Sequence, residues 1–149
     1  MSVRADILAN LETALNGMKD DVDYEANPAM VSMYDERFLA APSSDFPWLM
    51  ILDDLPEERA AQDSTNVAHY MNLIVRSIIK ADYKPELVVE LNKLQSSVKE
   101  FLYSSPSLGD NVLSVMYSGG DGLSYYADQG FGAVDIRFRI LYWTTRSAF

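Results

Sequence analysis

The stretch Val134-Asp135-Ile136-Arg137-Phe138-Arg139-Ile140-Leu141-Tyr142-Trp143 alternates apolar and polar residues almost one by one. Val134, Ile136, Phe138, Ile140 and Tyr142 fall on one side, and Asp135, Arg137 and Arg139 on the other. Alternation of period two in β-branched and aromatic residues is the pattern of a strand with one buried face. The polar side turns apolar at Leu141 and Trp143. Such a strand belongs near the middle of an antiparallel sheet whose apolar face helices must cover.

A second long alternation runs from Val67 to Lys80. Val67, His69, Met71, Leu73, Val75, Ser77 and Ile79 share one face; Ile74 and Ile78 make the other partly apolar too, so that face is also covered in part. His69 is the only histidine. General-base chemistry needs an orienting partner and a nucleophile in reach, and the sequence names neither, so His69 reads as a packed or surface residue.

Two helices supply the cover. Val3, Ile7, Leu11 and Leu15 recur every four residues behind a capping Ser2, which predicts a helix from Val3 to about Asn16 with Gly17 at its end. The second begins near Pro85, with Asp82 upstream as a cap. Leu87, Leu91, Leu94, Val98 and Phe101 keep a 4-3-4-3 spacing to the break at Ser104-Ser105-Pro106. Fully burying these five stripe residues contributes on the order of 10 kcal/mol before entropy is subtracted. This helix is the principal cover of the sheet.

Shorter elements complete the order. Pro47 to Asp53 is a buried strand, Met30 to Leu39 an edge strand or arm bracketed by Pro28 and Pro42, and Asn111 to Tyr117 another strand. Ser118-Gly119-Gly120-Asp121-Gly122 reads as a turn, and Leu123 to Asp128 as extended chain or loop. The expected fold is therefore a single α+β domain over residues 1–149. A mostly antiparallel sheet of four to five strands carries two main helices packed on one face, with a long acidic loop or arm at about residues 19–46.

Composition excludes several classes of function. The 149-residue chain is 48% hydrophobic and 23% charged, ordinary for a folded domain that buries its own core. There is no cysteine, hence no disulfide and no Cys-based metal site, which suits a reducing compartment. No apolar run approaches the ~18 residues of a membrane span, and the N-terminus lacks signal-peptide order. The net charge of −10 sits wholly within residues 1–63, which hold 14 acids against Arg4, Lys19, Arg37 and Arg59. So acidic a chain is not built to coat nucleic acid. It either keeps the surface soluble or faces a basic patch on a neighbouring subunit.

No catalytic, cofactor-binding or metal-binding motif is legible. Asp53-Asp54-Leu55-Pro56-Glu57-Glu58 concentrates carboxylates but lacks the spaced oxygens and glycine of a calcium loop. The glycines lack the spacing of phosphate or dinucleotide loops, and no GxSxG or HExxH occurs.

The element order from Pro47 to Thr145 resembles the tail terminator proteins of long-tailed bacteriophages. The carriers of the likeness are the long strand, the amphipathic helix, the turn Ser105-Pro106-Ser107-Leu108-Gly109-Asp110, the return through Gly132 to Tyr142, and the ending Tyr142-Trp143-Thr144-Thr145. The acidic segment 19–45 is longer than the connection usual in that family. The resemblance implies a structural virion protein of the tail neck, assembled in host cytoplasm as a homohexameric ring. Such a ring caps the tail tube protein, ends tube polymerisation and joins a head-completion or connector protein. DNA passes its lumen without specific binding, and no membrane or cofactor is involved. Within that picture the subunit-interface candidates are Arg137, Arg139, Tyr125, Tyr126, Phe131 and Trp143; alternatively, the two arginines pair with acids of their own subunit. Another neck or tail-completion subunit of related fold is the nearest alternative. A small-molecule-binding or enzymatic α+β domain is the further one, and would need convergent polar groups in a pocket.

Overall fold

A computed structural model of the chain describes residues 2–21, 23–24, 26–53, 58–62, 65–80, 85–104, 108–120, 124–126 and 130–145. The elements run α1 (Val3–Asn16), β1 (Met30–Met33), β2 (Trp48–Asp53), β3 (Glu58–Gln62), β4 (Asn66–Lys80), α2 (Pro85–Tyr103), β5 (Val112–Gly120), β6 (Ser124–Tyr126) and β7 (Phe131–Thr145). The protein is an α+β domain, and its sheet is mostly antiparallel. Five strands lie in the order β1-β2-β4-β7-β5, with β3 added beside β4 and β6 beside β7.

Two 15-residue strands form the spine of the sheet. β4 and β7 pair antiparallel along their whole length, from Asn66 opposite Thr145 to Lys80 opposite Phe131. The stretch that alternates most strictly therefore lies inside the sheet, with β5 on its other side. Among the described strands only β1 and β2 run parallel, because the chain between them crosses over instead of turning back.

The register sorts side chains onto two faces, as period two requires. On the first, Met71, Leu73 and Val75 stand opposite Ile140, Phe138 and Ile136. They join Ile7, Leu11 and Leu15 of α1 with Leu94, Val98 and Leu102 of α2 in one buried cluster. Both helices thus pack on one face. Helix α1 starts as its sequence predicts: the Ser2 hydroxyl accepts a hydrogen bond from the Ala5 amide at 3.1 Å. Arg4 further ties α1 to the end of β2 through an ion pair with Asp53, with Nε donating to Oδ2 at 3.0 Å. The predicted cap at Asp82 and the Ser105-Pro106 break lie outside the described residues.

Among the described residues, the second face is covered at one end. Trp48, Met50, Ile78, Phe131 and Ala133 form a smaller cluster there, closed by Phe38, Ala41 and Phe46. That lid comes from the acidic stretch 19–46, which holds β1, a 3-10 turn Glu36–Ala40 and a second turn Ser43–Asp45. On the helical face the same stretch is anchored by Tyr24 packed edge-on against Phe101 at 5.7 Å and by the Ala26 amide donating to the Ser97 hydroxyl. It wraps the β1 edge of the sheet and reaches both faces.

Several sequence expectations need adjusting at element ends. The extended reading of Met30 to Leu39 holds for β1 and then gives way to the 3-10 turn, which Asp35 caps by accepting from the Arg37 amide. The strand expected to stop at Tyr117 continues to Gly120. A register shift between Tyr117 and Gly119 lets it pass a residue with φ near 135°, a conformation glycine takes at no steric cost. The short strand β3 adds to those expected, and β6 shows the extended alternative within the stretch read as extended chain or loop. The carboxylate turn Asp53 to Glu58 falls largely outside the described residues.

Candidate functional site

Beyond the Phe38 lid the second sheet face is more open, and three of the six sequence-predicted interface residues, Arg137, Arg139 and Trp143, belong to it. Register places Arg137 opposite Ile74, Arg139 opposite Asn72, Leu141 opposite Tyr70 and Trp143 opposite Ala68. All eight are partly exposed, where the equivalent positions of the helical face are buried. The open half therefore combines arginines with apolar and aromatic side chains on a rigid two-strand floor.

Each functional side chain is held from below. The Arg139 guanidinium lies over the Tyr70 ring, 4.0 Å from its centroid, a cation–π contact across the β4–β7 diagonal. Trp143 is clamped by its backbone: its amide donates to the Asn111 carbonyl at 3.0 Å, and its carbonyl accepts from the Asn111 side chain at 2.8 Å. Trp143 as a whole stays partly exposed. Arg137 is partly buried, opposite Ile74 of β4 and Gly119 of β5.

The strand's acid is paired within the chain, through a cation on the neighbouring strand. Asp135 accepts two hydrogen bonds from Arg76, at 2.7 and 3.0 Å, and the two residues are direct cross-strand partners. This is the fork geometry in which an arginine grips a carboxylate most firmly.

The remaining candidates divide. Phe131 is buried at 2% exposure and packs edge-on against Phe38 at 5.3 Å, so its surface is spent inside the single chain. Tyr125 and Tyr126 form β6, opposite Gly132 and Phe131, and for them the description stops at the backbone.

A cleft of about 380 Å³ opens where the lid meets the open face. Phe38, Ile78, Phe131 and Ala133 make its floor, while Tyr34, Leu39, Glu36 and Arg76 stand around it. Periodicity carries no sign of this cleft, because the rim comes from an aperiodic segment. Beside the rim, the exposed Arg37 side chain folds back onto Asp35 at 2.7 Å. That hydrogen bond, aided by the Arg37 amide, lowers the Asp35 carboxyl below its ordinary value and raises the Arg37 guanidinium.

His69 sits on the covered face, 4% exposed, stacked on Tyr142 with ring centroids 5.1 Å apart. Its Nε2 lies 3.1 Å from the Thr144 hydroxyl. These are the surroundings of a packed histidine. Among the described residues, no three His, Cys, Asp or Glu side chains gather as a metal site would require.

No family model matches the sequence, and no curated protein matches it. Among solved structures the chain is similar to one from the virion of a native gene transfer agent particle. The two are 12% identical, superpose with a TM-score of 0.55, and share 93% of this chain and 98% of the other. At that identity the likeness is one of fold, and it spans both chains nearly end to end.

Proposed function

We propose that the protein is a structural subunit of a phage-like virion, a tail terminator that caps the tail tube as a ring and joins it to the head-side connector. The observation that carries the reading is the end-to-end likeness of fold to a chain of a gene transfer agent virion. It coincides with the element order that resembles tail terminators. The open face supports an assembling role, since rigid strands present arginines and half-exposed aromatics, the residue types enriched at protein interfaces.

In this reading the subunit acts by shape and charge and performs no chemical step. Tube polymerisation ends because one surface of the ring fits the last tube ring while the opposite surface offers nothing for another tube subunit to join. The acidic residues 1–63 repel phosphate, so DNA can pass a lumen lined by them without sticking.

Deleting the gene in the producing phage or prophage-like element tests this directly. A terminator's loss gives tails of uncontrolled length in electron micrographs. Tails of normal length that fail to join heads would overturn the terminator role and assign a connector or completion role. Normal infectious particles would remove the protein from the virion altogether.

A further inference from the structure

The two faces of the sheet are covered in different ways. On the helical face, α2 alone commits Leu91, Leu94, Val98 and Leu102 to burial. On the second face, residues 35–46 leave β1, cross the sheet as two successive 3-10 turns and rejoin it at β2. The backbone hydrogen bonds of this segment stay inside it: the Phe38 amide donates to the Asp35 carbonyl, Ala41 to Phe38, and Asp45 to Pro42. Asp35 and Arg37 likewise pair with each other. Among the described residues, a single hydrogen bond ties the segment to the body of the domain, from Lys80 Nζ on β4 to the Ala41 carbonyl at 3.0 Å. Glu36, Arg37, Leu39, Ala40, Pro42 and Ser44 are exposed, and among the described side chains of the segment only Ala41 is buried.

The floor beneath shows the opposite. Trp48, Met50, Ile78, Phe131 and Ala133 are each at most 4% exposed. Their cover is Ala41 with two rings: Phe38 edge-on to Phe131 at 5.3 Å, and Phe46 tilted against Phe131 at 5.5 Å and against Trp48 at 5.9 Å. A segment that satisfies its own backbone and meets the core through three side chains can leave as a unit, because few contacts outside it are broken and the β4–β7 ladder is untouched. Both ends are fixed points about which it can turn. The Tyr34 amide donates to the Ile51 carbonyl at 3.2 Å, and the Pro47 carbonyl accepts from the Ala29 amide at 2.7 Å.

We propose that residues 35–46 form a hinged lid, latched by Lys80, that opens while the rest of the domain stays folded and uncovers Phe131, Ile78 and Trp48. Lys80 is placed for the latch: it stands opposite Phe131 in register, and its Nζ lies 5.8 Å from the centroid of that ring while it holds the Ala41 carbonyl. One side chain thus grips the lid and leans on the aromatic floor. Opening removes the Phe38 and Leu39 wall of the 380 Å³ cleft and turns an enclosed aromatic floor into an accessible surface. The inference concerns the single chain and stands apart from the terminator reading.

The natural absence of cysteine lets one introduced thiol report on its own position. Ala133→Cys places a thiol on the floor under the lid, and Val75→Cys places one in the core under the helices. With a soluble thiol reagent under native conditions, position 133 is expected to react about tenfold faster than position 75, or more, yet far more slowly than an unprotected thiol. Adding Lys80→Met, which keeps an apolar stem and deletes the donor, should speed the reaction at 133 several-fold and leave that at 75 unchanged. The chain without an added cysteine supplies an independent readout, since a protease can cut after Arg37 only when the lid chain leaves the floor. Tryptic cleavage there should quicken several-fold in Lys80→Met, and cleavage after Lys93 of α2 should not. Equal reaction at 133 and 75 would show that the floor opens only with the whole domain. Reaction at 133 as fast as that of an unprotected thiol would show that the segment does not cover the floor. Labelling at 133 and cleavage after Arg37 both indifferent to Lys80→Met would show that Lys80 is no latch. Each of these results overturns the proposal.

Discussion

Arg76 and Asp135 face each other across β4 and β7 and are joined by two hydrogen bonds of 2.7 and 3.0 Å, on the sheet face that carries the cleft. Their side chains are 30% and 12% exposed, so the pair is partly desolvated. Asp135→Ala leaves the Arg76 guanidinium without its bidentate acceptor on a half-covered surface. The expected loss is about 1–2 kcal/mol, between that of an exposed pair and that of a buried one. Urea unfolding measures it. Replacing both residues at once, as Arg76→Met with Asp135→Leu, is expected to restore most of the loss, because no charge is then left unmatched; a double variant weaker than Asp135→Ala would contradict this account.

The helical cover makes a sharper contrast between neighbouring positions. Leu94 is fully buried between α2 and the sheet, while Val89 is 51% exposed on the same helix. Leu94→Ala should cost about 2–5 kcal/mol through lost burial and the cavity left behind. Val89→Ala should change stability by less than about 0.5 kcal/mol. Thermal or denaturant unfolding of the two variants reads the difference, and similar losses at both sites would mean that α2 does not sit on the sheet as described.

What was legible in the sequence follows from the same physics. The spine of the fold showed itself because β4 and β7 are buried on one face along nearly their whole length, and period-two burial leaves period-two composition. Strand β3, Glu58-Arg59-Ala60-Ala61-Gln62, leaves no such trace: it pairs only with the first residues of β4, and its sequence does not alternate. The short strand β6 likewise pairs only with the start of β7. The open face was half legible. Alternation separated Arg137 and Arg139 from the core, but it could not tell which end of that face is covered. The cover comes from Phe38, Ala41 and Phe46, residues of an aperiodic segment placed only by tertiary contact. For that reason Phe131 reads as a surface aromatic in sequence and stands in the core in the structure.

The Asp35–Arg37 contact predicts a titration. Arg37 holds the Asp35 carboxyl below its ordinary value of 3.8 through a side-chain hydrogen bond, then through its amide. A carboxyl depressed in the folded state contributes its interaction fully above the unfolded pKa and loses it as pH falls through the folded value. Carbon-detected NMR should therefore find the Asp35 midpoint below 3.8 in the parent and closer to it in Arg37→Ala. Because both groups are at the surface, global stability should hardly respond. An unchanged midpoint in the variant would mean that the pair does not persist in solution.

Tyr103 and Tyr117 test how the β5 end is protected. Tyr103 is 54% exposed at the end of α2, yet its hydroxyl accepts the Tyr117 amide hydrogen at 3.0 Å. A free amide on an outer strand is a template for another chain, and capping it with a side chain removes that template without burying anything. Tyr103→Phe keeps the ring and deletes only the acceptor. A net hydrogen bond contributes about 0.5–1.5 kcal/mol, so amide exchange at Tyr117 should quicken several-fold while the unfolding midpoint stays nearly fixed. Exchange unaltered at Tyr117 would show that another group protects the amide. Exchange quickened across all of β5 and β7 would show instead that the hydroxyl supports the sheet as a whole.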